Sequence, residues 1–289
     1  MSAALGLGDL LDMANRSDPA LAGRIDHGLL RPDAPLPDTP FDAVVFPPNL
    51  TGVRGQADTR LHSWIRQQHR NGATLCSACA GAFWLGHAGV LDGRPVTTHW
   101  ALEPEFRATF PDAQLHPEHL LIDDHDVVTA GGVMAWIDLG LYLVKRWHGP
   151  ETVTRTCRQM LIDPQGREQR NYRSFRPDLT HKDDAIRTLQ RWMEGNIAAD
   201  LTIHALARRA ALSDRSLQRR FTKATGLSVS RYIQELRIEK ARGLLERTTM
   251  PISEICWKVG YEDLSAFSRL FKTISGLSAG DYRKRFSVR

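Results

Sequence analysis

Two stretches near the C-terminal end of the chain, ALSDRSLQRRFTKATG (211–226) and GYEDLSAFSRLFKTISG (260–276), share one plan about fifty positions apart. In the first, Ile203, Leu206 and Ala210 recur at helical spacing, Ser213 offers an N-cap, and Leu217, Phe221 and Ala224 then fall on one helix face before Gly226. In the second, Pro251 opens a helix carrying Ile252, Ile255 and Val259, and Gly260 supplies a turn residue tolerant of positive φ. Asp263 then caps a helix whose stripe is Phe267, Leu270, Phe271 and Ile274. Each repeat predicts two short helices joined by a tight turn, and the second helix of each turns a polar, basic face outward. That face holds Arg215, Ser216, Gln218, Arg219, Thr222 and Lys223 in the first repeat, and Ser265, Ser268, Arg269 and Lys272 in the second. Between them, Ile233, Leu236, Ala241, Leu244 and Leu245 predict a connecting helix over 228–247. Such pairs can lay a helix in a DNA major groove, and successive groove faces lie ~34 Å apart on one side of B-DNA.

Charge divides the chain at the same place. Residues 181–289 hold 21 Lys and Arg against 12 Asp and Glu, whereas residues 1–180 hold 17 against 21. A basic end joined to a mildly acidic one predicts a nucleic-acid module attached to something that is not one. No run of about 18 apolar residues occurs and the N-terminus lacks the basic start of a signal peptide, so a cytoplasmic protein with no membrane partner is expected. Four cysteines, Cys76, Cys79, Cys157 and Cys256, are too few for a secreted disulfide framework.

On these motifs, residues from about Asp184 to Phe286 resemble the AraC/XylS-type DNA-binding domain. The resemblance implies seven helices, two of them recognition helices, in a transcription regulator of double-stranded promoter DNA that also meets RNA polymerase. The family usually has glycine where Ala211 stands and proline where Ala279 stands, and often a polar residue where Leu264 stands, a change expected to bear on which bases the second helix reads. These departures leave the fold expectation intact.

The preceding part reads differently. FDAVVF (41–46) and ATLCSA (73–78) are short apolar runs, each followed by a helical pattern, and LLIDDHDVVTAGG (120–132) reads as a hairpin or edge segment. A βαβα order with continuous apolar strands predicts an open parallel sheet covered by helices, a flavodoxin-like α/β sandwich. In such sheets the functional crevice lies at the C-terminal strand ends. Cys79 falls there, flanked by Ala78, Ala80 and Gly81, a run suited to a sharp elbow at a helix N-terminus, with Cys76 back on the strand. No second C-x-x-C or H-x-x-x-H pair is present to complete a metal site, and a redox pair would need both sulfurs at one helix start. No metal or cofactor is expected.

CAGAFWLGHAGVLDGRPVTTHW and TAGGVMAWIDLGLYLV make residues 1 to about 170 resemble the class I glutamine amidotransferase-like (PfpI/deglycase-like) domain found fused to AraC-type modules. By position the family's nucleophile is Cys79. Its neighbours differ: the histidine of the peptidase branch is Ala80, and the carboxylate of the deglycase branch falls near Ala3. His99 is either a base or a structural imidazole, the second being favoured, and Trp84, Trp100 and Trp136 are either crevice walls or core. The expectation is a vestigial nucleophile and no catalysis, with an effector pocket at Cys79, Ala80, His99 and Trp100 that takes a small molecule, and homodimerisation through this domain. A cysteine-dependent amidase or deglycase with a DNA-binding appendage is the rival. The resemblance aligns LGDLLDMAN with the family's first helix, so the family's first strand is expected to be missing, by late assignment of the start. The expected division is 1–172 for this domain, 173–183 for a linker and 184–289 for the DNA-binding domain, in an activator.

Overall fold

The computed structural model describes residues 2–17, 24–31, 34–49, 58–163 and 167–287. They form two compact units, Met1–Gln169 and Arg170–Arg289.

The first unit runs α1 (Ser2–Ser17), β1 (Ala43–Phe46), α2 (Thr59–Arg70), β2 (Thr74–Ala78), α3 (Ala82–His87), β3 (Pro95–Val96), α4 (Glu103–Thr109), β4 (Gln114–Leu115), β5 (Leu121–Asp124), β6 (Val127–Ala130) and α5 (Trp136–Met160). The main sheet has the order β1-β2-β6-β5. Its first three strands are parallel, and β5 closes one edge as the antiparallel arm of a hairpin with β6. The expected open sheet is therefore present, with a mixed edge.

Alternation along the strands explains both layers. Leu75 and Val127 point into a cluster with Trp64, Ile65, Phe83 and Leu85, while the adjacent Cys76 and Val128 point the opposite way, against Leu139 and Leu143 of α5. Every residue of β2 and β6 is buried because helices cover both faces, which is why these strands show no alternation of apolar with charged residues. α1 lies on α5 through Leu7, Leu10 and Leu11. A Cβ at Gly140 would stand 2.8 Å from the Leu7 methyl and 3.1 Å from that of Leu10, so glycine lets the two helices approach without displacing these side chains. α5 bends where Gly149 takes φ 79° just before Pro150, so its two arms match the two helical patterns of the sequence. Trp84 and Trp136 both pack in core clusters.

The second unit follows a single helical turn, α6 (Gln169–Tyr172), with α7 (Asp184–Gly195), α8 (Ile203–Arg209), α9 (Asp214–Thr225), α10 (Val229–Arg247), α11 (Ile252–Lys258), α12 (Leu264–Ser275) and α13 (Ala279–Phe286). Asp183, Thr202, Ser213, Ser228, Asp263 and Ser278 each accept a first-turn amide of the helix they precede, a contact worth ~1 kcal/mol per cap. α10 serves two cores. Val229, Tyr232 and Leu236 close the first with Leu217 and Phe221, and Ile238, Ala241 and Leu245 close the second with Phe267 and Phe271. Arg237 in the middle of α10 donates to the Ile197 carbonyl at 3.2 Å and lies over the Tyr261 ring at 5.1 Å, so one side chain ties both halves to the connecting helix.

The boundary differs from the one expected at 172, and residues 173–183 are not a free connector. The Asn171 amide donates to the Ser275 carbonyl at 2.8 Å, and the Arg170 and Arg173 carbonyls accept from buried Arg242. Glu239 accepts from Ser174 and from the Phe175 amide, Phe175 packs edge-on against Tyr232, and Arg220 grips Asp183 through two hydrogen bonds of 2.6 and 2.8 Å. Most of these partners are main-chain groups, so no apolar periodicity announces the docking.

The turn of the first repeat is one residue shorter than that of the second. Gly260 takes φ 88° in the second turn, but Ala211 is forced to φ 51° in the first. A Cβ in that region costs ~1–2 kcal/mol, part of which glycine would give back through the unfolded chain. Ala211→Gly is therefore expected to stabilise the second unit by about 0.5–1 kcal/mol, measured as a higher urea midpoint with unchanged slope.

Candidate nucleic-acid interface and the Cys79 elbow

In the second unit the apolar stripe of each second helix fixes which face is left outside. With Leu217 and Phe221 fully buried, Arg215, Gln218, Arg219, Thr222 and Lys223 of α9 are exposed and Ser216 is half-buried. With Phe267 and Phe271 fully buried, Ser265, Ser268, Arg269 and Lys272 of α12 are exposed. Sequence reasoning named these ten residues, and the structure collects them as two outward faces, one per repeat. Arg220, between two exposed cations, is turned aside to hold Asp183, whose carboxyl is kept below its ordinary pKa first by that hydrogen bond. A groove beside α9 adds Lys182 to Arg219 and Lys223. Both faces combine hydrogen-bonding side chains with cations, the equipment for base edges and phosphates.

In the first unit, Cys79 takes φ 55° at the end of β2, and the chain turns at once through a 3-10 turn (Cys79–Gly81) into α3. A positive φ at a non-glycine residue is the geometry of an elbow. Gly81 permits it, because a Cβ there would stand 2.2 Å from the Phe46 carbonyl oxygen at the end of β1. Three residues earlier Cys76 is fully buried, and desolvation pushes its thiol up to about 12, so it stays protonated at neutral pH.

A polar bracket closes over the elbow. The Thr98 hydroxyl donates to the Cys79 carbonyl at 2.8 Å. Buried Gln169 donates to the Thr98 and His119 carbonyls at 2.8 and 2.9 Å and to the Thr97 hydroxyl at 3.0 Å, while its own oxygen accepts the Trp100 amide at 2.9 Å. Gln169 lies 50 to 72 positions from these partners, and nothing in its local sequence singles it out. The result is that Cys79 is 4% exposed and Ala80 1% exposed. His99 and Trp100 are half-buried at the bracket, their rings 5.3 Å apart. The His99 Nδ1 accepts the Ala101 amide at 3.0 Å, capping a short turn, and burial lowers its pKa, which favours a neutral imidazole. The four residues expected as a pocket thus divide into two buried elbow residues and two partly open ones. Among the described residues no three His, Cys, Asp or Glu side chains converge as metal ligands do, and no helix is long and apolar enough to cross a membrane.

A mainly parallel sheet with a cysteine elbow at positive φ, in a chain that also carries paired helix-turn-helix units on a shared helix, defines a two-part class. Comparison with known proteins finds the same two parts. Residues 21–146 match the DJ-1/PfpI family and residues 206–285 match a helix-turn-helix domain. The HTH-type transcriptional regulator GlxA of Rhizobium meliloti is 30% identical over 234 residues, 79% of this chain and 71% of that protein. The chain belongs to this family of HTH-type transcriptional regulators, with a DJ-1/PfpI domain before an AraC-type helix-turn-helix domain. The HTH-type transcriptional regulator CdhR of Pseudomonas aeruginosa is 32% identical over 215 residues, 73% of this chain, and the matched region spans 63% of the length of CdhR. Among solved structures, the C-terminal domain of AraT from Geobacillus stearothermophilus is 30% identical with a TM-score of 0.36, over 37% of this chain and 89% of that one.

Proposed function

We propose that the chain is a sequence-specific DNA-binding transcription regulator of the cytoplasm, reading promoter DNA with Arg215, Ser216, Gln218, Arg219, Thr222 and Lys223 of α9 and Ser265, Ser268, Arg269 and Lys272 of α12. The observation that carries this reading is the pair of exposed polar faces held by one helix, α10, whose two halves belong to the two cores. Phosphate contacts by the surrounding cations supply much of the affinity, so binding falls steeply with salt. Selection of random duplexes by the full chain at moderate salt is expected to enrich one motif. Recovery of unenriched sequence would refute the reading.

The first unit, with residues 1–169, acts as a binding unit and not as an enzyme, and it pairs two chains into a homodimer that works with RNA polymerase as an activator. Its small-molecule effector meets the half-buried His99 and Trp100 above the Cys79–Ala80 elbow. Support for binding over catalysis comes from the neighbours of the thiol: residue 80 is alanine, and His99 spends Nδ1 on a backbone amide. A nucleophilic Cys79 would be alkylated within minutes near pH 6. Native protein is instead expected to take up less than about one tenth of an equivalent of iodoacetamide per hour at that pH, because all four thiols are buried. Rapid loss of one equivalent, mapped to Cys79 by mass spectrometry, would favour the enzyme.

A further inference from the structure

The two outward helices repeat one another position by position, which isolates their chemical difference. With the N-caps Ser213 and Asp263 superposed in sequence, Asp214 corresponds to Leu264, Arg215 to Ser265, Gln218 to Ser268 and Arg219 to Arg269. The first face opens with a carboxylate, two guanidinium groups and an amide. The second keeps only Arg269 and replaces the rest with two short hydroxyls and a leucine.

Leu264 is 42% exposed and is absent from the side chains that pack into the second core, although Leu270 and Ile274 on the same helix do pack there. A single exposed leucine on a protein surface needs no explanation. This one stands at the first position of α12, one turn before exposed Ser268, on the end of a recognition helix that approaches base edges. The dipole at that end favours an acidic residue, which α9 has in Asp214, so leucine there has no local stabilising role.

From this difference we infer that Leu264 packs on the 5-methyl group of a thymine in the major groove, so that α12 reads a methyl where α9 reads hydrogen bonds. The inference rests on the DNA-reading function proposed above. The thymine methyl is the apolar group that a base pair displays in the major groove. Opposite any other base, an isobutyl side chain would cover a donor or acceptor without pairing it, at the cost of that group's desolvation. Ser265 and Ser268 are short enough to let the helix come close, and their hydroxyls serve donors and acceptors alike. Arg269 remains for guanine or phosphate.

The test uses the duplex enriched by the full chain. Each thymine of the motif is replaced in turn by deoxyuridine, which lacks that methyl alone. One replacement is expected to weaken binding by the native chain about fourfold, the effect of one methyl-sized group lost from a buried contact. Leu264→Met should keep the discrimination. Leu264→Ser, an exposed change that leaves thermal unfolding in place, should bind both duplexes equally. The inference is overturned by a motif without thymine, by the absence of any deoxyuridine effect, as a protein-facing role for Leu264 would give, or by an effect that persists in Leu264→Ser. Failure to enrich any motif is a separate result, which refutes the DNA-reading function itself.

Discussion

Gly81→Ala is expected to lower the thermal midpoint of the first unit by about 6–12 °C, the consequence of ~3 kcal/mol in a domain of this size. The reason is contact and not conformation. Gly81 has φ −57° and ψ −27°, which alanine adopts freely, but the added methyl would stand 2.2 Å from the Phe46 carbonyl oxygen and 2.9 Å from its carbon. Both obstacles are main chain at the end of β1, and β1 is held in register by β2 from Ala43↔Thr74 to Phe46↔Ser77. No side chain can swing aside, so either the strand end or the elbow must move. Gly28→Ala is the control, since its methyl would meet nothing within 4 Å. Equal midpoints for the two variants would show that the elbow does not lie against β1.

Arg219→Ala is expected to weaken binding to the enriched duplex by about 5- to 150-fold, the range of 1–3 kcal/mol for an arginine that contacts bases or anchors the backbone. Arg219 is exposed on the outward face of α9 and takes no part in the first core. Its neighbour Arg220 is the contrasting case. Arg220→Ala removes the grip on Asp183, and its effect belongs in stability more than in sequence discrimination. If the acidic limb of a stability profile is followed, the Asp183 contribution is present above the ordinary carboxylate range. It disappears as pH falls through the depressed pKa of the folded state. Arg219→Ala is measured by affinity at two salt concentrations: lost base contact leaves the salt slope unchanged, whereas a lost phosphate contact lowers it by about one. Unchanged affinity and motif would remove Arg219 from the reading face.

The helical unit was legible because its signals are local. Ser213, Asp263, Gly226 and Gly260 mark turns and caps within a few residues of the helices they bound, and the stripes of Leu217 and Phe221 or Phe267 and Phe271 repeat at helical period. The strands FDAVVF and TLCSA were legible for the same reason, and so was the elbow, since a small-residue run after a buried strand is a short pattern. What the sequence hides is assembled from far apart. The docking of residues 170–183 depends on main-chain carbonyls meeting Arg242 and on Glu239 receiving Ser174 and the Phe175 amide. The closure over Cys79 depends on Gln169, which has no apolar period or motif to mark it. The near-complete burial of Cys79 and Ala80 likewise follows from contacts distant in sequence and has no local signal.

Hydroxyl-radical footprinting of the full chain on its enriched duplex puts the two-reader account to its most direct trial. Because α10 fixes α9 and α12 on one scaffold, two protected segments are expected on the same side of the helix, centred about one turn or 10–10.5 base pairs apart per chain. Arg219→Ala should weaken one segment and Arg269→Ala the other. A single protected segment per chain, weakened alike by both substitutions, would contradict it.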